Sequence, residues 1–172
     1  AVRGGLAGFN PQNLSITVWA YATAGVAAEA LYAAVAEAAV RGGLAGFEPQ
    51  NLANTVWAYA TAGHYDQALL AECSRVISDS LARDTSRWST QDRVQLHQWQ
   101  LWLSLERGAD GQQHLLSESQ RQLCRDAMQR TQVTISRLQR SVGDSLAAVH
   151  SGFEEEYLEP RTGYSLDLAL PS

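Results

Sequence analysis

Side-chain amides recur in register in the first part of this chain. Gln12-Asn13 and Gln50-Asn51 stand 38 residues apart in near-identical surroundings. An amide carries both a donor and an acceptor, so a row of amides can read the hydrogen-bonding edge of a base. Two neighbouring positions differ between the copies: Asn10 against Glu48, and Ile16 against Asn54. Such mismatches between otherwise equal units are where two units can prefer different partners, although Asn10 also suits a plain helix cap. Arg3 and Arg41 precede the amides at equivalent places and would give evenly spaced phosphate contacts, of which two contribute little. Arg121 and Arg125, and Arg137 and Arg140, fall about one helical turn apart and have the spacing to hold phosphates. Asp126 and Asp144 lie close enough in sequence to pair with them instead.

Other chemistry-bearing types are poorly placed for catalysis. Cys73 and Cys124 have no metal-ligand spacing and fall at apolar helix positions, which predicts buried free thiols. The four histidines form no metal motif. Glu154, Glu155 and Glu156 adjoin one another, but successive strand residues point to opposite faces, so they read as a solvated acidic strand. Trp19 and Trp57 share a repeat position. They have the aromatic faces to stack on unpaired bases, yet the period favours repeat-to-repeat packing. Trp88, Trp99, Trp102, Tyr21 and Tyr59 are read as packing for the same reason.

What positions these residues is a repeat. Residues 1–25 and 39–63 match at 22 of 25 positions; only 10/48, 15/53 and 16/54 differ. A fixed period of this length marks a solenoid, whose units bury their apolar faces on one another. Asn10-Pro11 supplies a cap and a first-turn proline. Leu14, Val18, Tyr21 and Ala22 then recur at helical spacing, with Ile16 off that stripe, and Gly25 ends the helix. Residues 27–40 form its partner, stopped by Gly42-Gly43. The second unit repeats this from Pro49 to Gly63, with a partner helix over 65–81. Trp88-Ser89-Thr90-Gln91-Asp92 is a worn copy of the unit start, with Ser89 and Asp92 as a capping pair, and its helix runs into a loop over 107–111. Ser117 or Ser119 caps the next helix, and Thr134 or Ser136 the one after. Glu154–Leu158 and Tyr164–Leu170 read as two strands joined by a turn over 159–163. A lone hairpin is marginal in water, so the natural protein is expected to continue into further strands.

Composition sets limits. The 172 residues carry a net charge of −5, and all 13 basic residues are arginine. Residues 1–74 hold two Arg against five acids, residues 75–140 ten against seven, and residues 141–172 one against six. Only the middle leans basic, which argues against strong nonspecific nucleic-acid binding. No apolar run reaches the roughly 18 residues of a membrane span, so no membrane role is expected. The chain begins inside a repeat, so the lack of a targeting segment says nothing.

The strings FNPQNLSITVWAYATAG and FEPQNLANTVWAYATAG, 38 residues apart, resemble the repeats of octotricopeptide-like organellar RNA-binding proteins. The tail SRLQRSVGDSLAAVHSGFEEEYLEPRTGYSLDLALP is similar to the start of a RAP domain, which accompanies helical repeats in proteins of the FAST-kinase-domain type. The first likeness covers about a third of the chain and the second roughly forty residues. RAP domains are similar in fold to restriction-endonuclease-like nucleases. By that resemblance Asp167 matches an acidic strand position, while the acidic motif and turn that would follow lie past Ser172. A metal nuclease needs further carboxylates.

The fold expected is therefore mainly α: an α-solenoid of helix-turn-helix repeats, followed by further helices and a short truncated β segment. Two helical-hairpin repeats occupy residues 1–83, a degenerate repeat and helical linker 84–133, and the start of a RAP-like α/β domain 134–172. The resemblance implies sequence-selective binding of single-stranded RNA in a mitochondrion or chloroplast, for RNA processing, stability or translation. Asn10, Gln12, Asn13, Ile16, Glu48, Gln50, Asn51, Asn54, Arg3 and Arg41 are the candidate contacts, and other organellar RNA-processing proteins are candidate partners. No cofactor, metal or catalysis is expected of this chain. A protein-binding helical scaffold, which suits the acidic first segment, and a nuclease-like activity in the missing C-terminal part are the alternatives.

Overall fold

The computed structural model describes Leu6 and residues 8–130, 137–149 and 152–170. Arg3, Thr134 and Ser136 lie outside the described residues, as does the side chain of Arg137. The described part is mainly helical and carries one small two-stranded sheet. Helices α1 (Pro11–Thr23), α3 (Pro49–Thr61), α5 (Thr90–Glu106) and α7 (Glu118–Gln129) pack in a row, each against the next. Helix α2 (Glu29–Gly42) packs on α1, α4 (Gln67–Arg83) packs on α3, and α2 and α4 pack on each other.

One local device starts every helix of the row. An apolar residue is followed by a cap and, three residues on, by the cap's partner. In α1 the Asn10 Oδ1 accepts from the Asn13 N–H at 2.8 Å. In α3 the Asn51 Oδ1 accepts from the Glu48 N–H at 3.1 Å. In α5 Ser89 and Asp92 exchange bonds at 3.1 and 2.9 Å, and in α7 Ser117 and Gln120 do so at 3.4 and 3.2 Å. Phe47, Trp88 and Leu116, which precede the last three caps, are buried. Ser117, not Ser119, is thus the cap of α7. Helices α1 and α3 also end alike. Gly25 and Gly63 take φ of 63° and 70°. The next N–H then reaches back, Val26 to Tyr21 at 3.1 Å and His64 to Tyr59 at 2.9 Å, which satisfies carbonyls the helix leaves open.

Several boundaries differ from expectation. Residues 107–111, expected as a loop, contain a short helix, α6 (Gly108–Gln112). Gly108, at φ 51°, breaks the chain out of α5, and one further turn then closes from the Gly111 N–H to the Arg107 carbonyl at 3.3 Å. Helix α4 starts at Gln67 rather than Tyr65, because the Asp66 carboxylate caps it through the Leu69 N–H at 2.9 Å.

The tryptophans divide. Trp88, Trp99 and Trp102 are buried, as expected of packing residues. Trp19 and Tyr21, expected in packing, are 38% and 40% exposed. The reason is position in the row. Helix α3 has row neighbours on both flanks, whereas α1, among the described residues, has one. Cys73 and Cys124 are free and buried. Burial pushes both thiols up, Cys124 to about 12, so they remain protonated.

Helix α8 (Arg137–Ala147) leads to an antiparallel hairpin, β1 (Glu154–Leu158) and β2 (Ser165–Ala169), in which Glu154 faces Ala169 and Leu158 faces Ser165. Its turn is locked internally. The Glu159 carboxylate accepts from the Arg161 and Thr162 N–H groups at 3.0 and 2.7 Å and from the Thr162 hydroxyl at 2.6 Å. The turn docks on the helical row: the Thr162 carbonyl lies 2.6 Å from His97 Nε2 on α5, and Arg125 on α7 donates to the Pro160 carbonyl. A carbonyl only accepts, so the His97 proton sits on Nε2.

Burial lowers the pKa values of His97 and His114 from the ordinary 6.5. Both bind fewer protons folded than unfolded, so folding stability rises with pH through this range. Their contribution is present above pH 6.5 and is lost as pH falls below it. Thermal unfolding followed between pH 7.5 and 5 should show a falling midpoint, and His97→Gln should flatten that slope. A midpoint that holds or rises on acidification would contradict the buried neutral imidazoles.

Candidate functional site

The outer edge of the row brings equivalent positions into contact. Asn54 Oδ1 on α3 accepts from Gln95 Nε2 on α5 at 3.0 Å. One turn further, Trp57 Nε1 donates to Gln98 Oε1 at 2.8 Å. Both pairs are 41 residues apart, so α3 and α5 run in the same direction with their unit starts in register. The Phe47-to-Trp88 spacing is the same 41 residues. Helix α5 thus places Gln95 and Gln98 opposite Asn54 and Trp57. Neither residue stands out in the sequence unless Trp88 is aligned with Phe47.

The sequence candidates separate into four groups. Gln12, Gln50 and Ile16 are exposed, Ile16 by 50%, and Asn54 is half-buried at the α3–α5 edge. The Gln95 bond leaves the Asn54 Nδ2 donors uncommitted. Asn10 and Asn13 are exposed, and Asn10 caps α1. Asn51 is held by the fold: it is buried, its Oδ1 accepts from the N–H of the cap residue Glu48, and its Nδ2 donates to the Ser15 hydroxyl of α1 at 3.4 Å. Glu48 pairs with Arg87 at 2.6 Å, and Arg41 pairs with Glu37 on its own helix. Exposed pairs of this kind contribute about 0–1 kcal/mol, so either side chain can leave its partner for another.

Trp57, half-buried between α3 and α5, offers part of its ring to this edge, and Trp19 offers more. The two run one turn beyond Asn54 and Ile16. The edge is thus an amide row flanked by indoles, with the Glu48–Arg87 ion pair at the helix starts.

Asp167 is exposed on β2. Glu156 accepts from the Ser165 hydroxyl at 2.9 Å. Among the described residues no group of three or more His, Cys, Asp or Glu side chains could hold a metal ion. No described helix is long and apolar enough to cross a membrane. No family model, curated protein or solved structure matches this chain.

Proposed function

We propose that this chain is a segment of an α-solenoid that binds single-stranded RNA with sequence preference, in organellar RNA processing, stability or translation. The carrying observation is the edge on which Asn54 and Gln95, then Trp57 and Gln98, meet at equivalent unit positions. Stacked helical units that read RNA meet one base with two or three side chains per unit. Asn54 is half-buried, its Nδ2 donors are uncommitted among the described residues and the buried Gln95 holds its Oδ1; beside an indole, that is the chemistry such reading needs: hydrogen bonds to the base edge and a stacking face. The mitochondrial or chloroplast setting, and any partnership with other RNA-processing proteins, rest on the repeat resemblance.

Fluorescence anisotropy against a panel of short single-stranded RNAs, at about 50 and 200 mM salt, tests the proposal. Expected is a preference among sequences with a shallow salt slope, because few cations face the edge. Asn54→Ala should change the preference at one nucleotide by about tenfold, equivalent to about 1.4 kcal/mol. Equal binding to every sequence, with no salt dependence, would sink the reading. A protein-binding scaffold would instead show saturable binding to a peptide or protein and none to RNA.

A further inference from the structure

A second polar site lies away from the amide edge, where the hairpin turn meets α5 and α7. It is a cleft of about 200 Å³. Arg121 and Arg125 enter it from α7, Arg161 from the hairpin turn, and His97 and Gln100 from α5. We propose that this cleft binds a phosphate monoester dianion.

Three observations carry the proposal. Charge is the first. Three guanidinium groups face one carboxylate, Glu118, which pairs with Arg121. The lining thus carries a net charge of +2, in a chain whose net charge is −5. The second is an open donor. Gln100 is only 4% exposed; its Oε1 accepts from the Leu116 N–H at 2.8 Å, while its Nε2 has no partner among the described residues. A buried donor without an acceptor is destabilising; Gln100 lines the cleft, and a small turn of its amide would bring this donor to an anion oxygen there. The third is fixed geometry. Arg125 is held by its bond to the Pro160 carbonyl, and Arg161 extends from a turn whose N–H groups are tied to Glu159. Among the described residues Arg161 makes no ion pair.

The ligand class follows from this donor set. Guanidinium forks match phosphate oxygens in pairs. Donors converge from three separate elements, which suits a tetrahedral group with several free oxygens better than a planar carboxylate. The proposal does not depend on the amide edge reading RNA.

The test is titration calorimetry on the whole chain, at matched ionic strength, with three ligands: inorganic phosphate, a 5′-phosphorylated trinucleotide and its 5′-hydroxyl twin. Saturable one-to-one binding of phosphate is expected. Arg161→Gln should weaken it at least tenfold with an unchanged thermal midpoint, and Arg140→Gln on α8 should leave it alone. If the phosphate comes from a strand end, the phosphorylated trinucleotide binds more tightly than inorganic phosphate. If it is free phosphate, the two bind alike. Failure to saturate with any phosphate ligand, or binding that Arg161→Gln leaves unchanged, overturns the proposal. Equal binding of the two trinucleotides overturns it as well, and leaves the amide-edge reading standing.

Discussion

Gly111→Ala should lower the thermal midpoint of this chain by about 6–12 °C. The residue belongs to α6, where its bare Cα lies against the last turn of α5. An added Cβ would collide with the Leu103 carbonyl oxygen and sit 2.8 Å from its carbon and 3.0 Å from Arg107 Cβ. The obstacle is backbone, which cannot turn aside as a long side chain would. Overpacking of this kind costs about 3 kcal/mol, the upper part of the usual range. Each kcal/mol moves the midpoint of a chain this size by about 2–4 °C. The loss should spread, because α6 delivers the following residues to their partners. The His114 ring stands 2.9 Å from the Tyr65 hydroxyl, and the His114 carbonyl accepts from Ser74 at 2.9 Å. Two other glycines give controls. Gly42→Ala meets nothing within 4 Å and should stabilise by about 0.5 kcal/mol through the unfolded chain. Gly46→Ala meets only Pro11 Cγ at 3.7 Å, an ordinary contact. Calorimetric midpoints of the three variants decide the matter. A Gly111→Ala midpoint level with that of Gly46→Ala would mean that α6 does not press on α5 as described.

Local signals made much of this fold legible in the sequence. Asn10-Pro11, Ser89 with Asp92, and the Gly25 and Gly63 stops all act within a few residues, and each appears where its type and spacing put it. The strand over 154–158 and the turn after it were equally local. What the sequence hid depends on neighbours far along the chain. Asn13 and Asn51 are the same letter in the same frame, yet Asn13 is exposed and Asn51 is buried against Ser15. Ser15 on α1 supplies the hydroxyl that meets Asn51, and among the described residues no helix packs on α1 in the same way to meet Asn13. The phosphate cleft was half visible as Arg121 and Arg125 one turn apart. Nothing in the spacing brought Arg161, His97 and Gln100 to them, because the docking of the hairpin turn does that.

Tyr59→Ala and Tyr21→Ala put this neighbour effect to a quantitative test, since the two tyrosines occupy the same place in near-identical units. Tyr59 is 1% exposed. Its hydroxyl donates to the Tyr32 carbonyl at 2.6 Å, and its ring meets Tyr32 edge-on at 5.2 Å. Tyr21 is 40% exposed. Removing a buried aromatic ring costs about 3–5 kcal/mol, whereas a surface change away from packing stays near about 0.5 kcal/mol. Tyr59→Ala should therefore lower the midpoint by about 6–20 °C, at about 2–4 °C per kcal/mol, and Tyr21→Ala by about 2 °C or less. Tyr59→Phe separates ring from hydroxyl. It keeps the ring packing and loses one hydrogen bond, at about 1 kcal/mol. Denaturant midpoints give the same ranking if unfolding is two-state. Equal losses at the two tyrosines would mean that both copies sit in equivalent surroundings, with the face of α1 covered as that of α3 is. A large gap would assign the burial of Tyr59 to its two-sided place in the row.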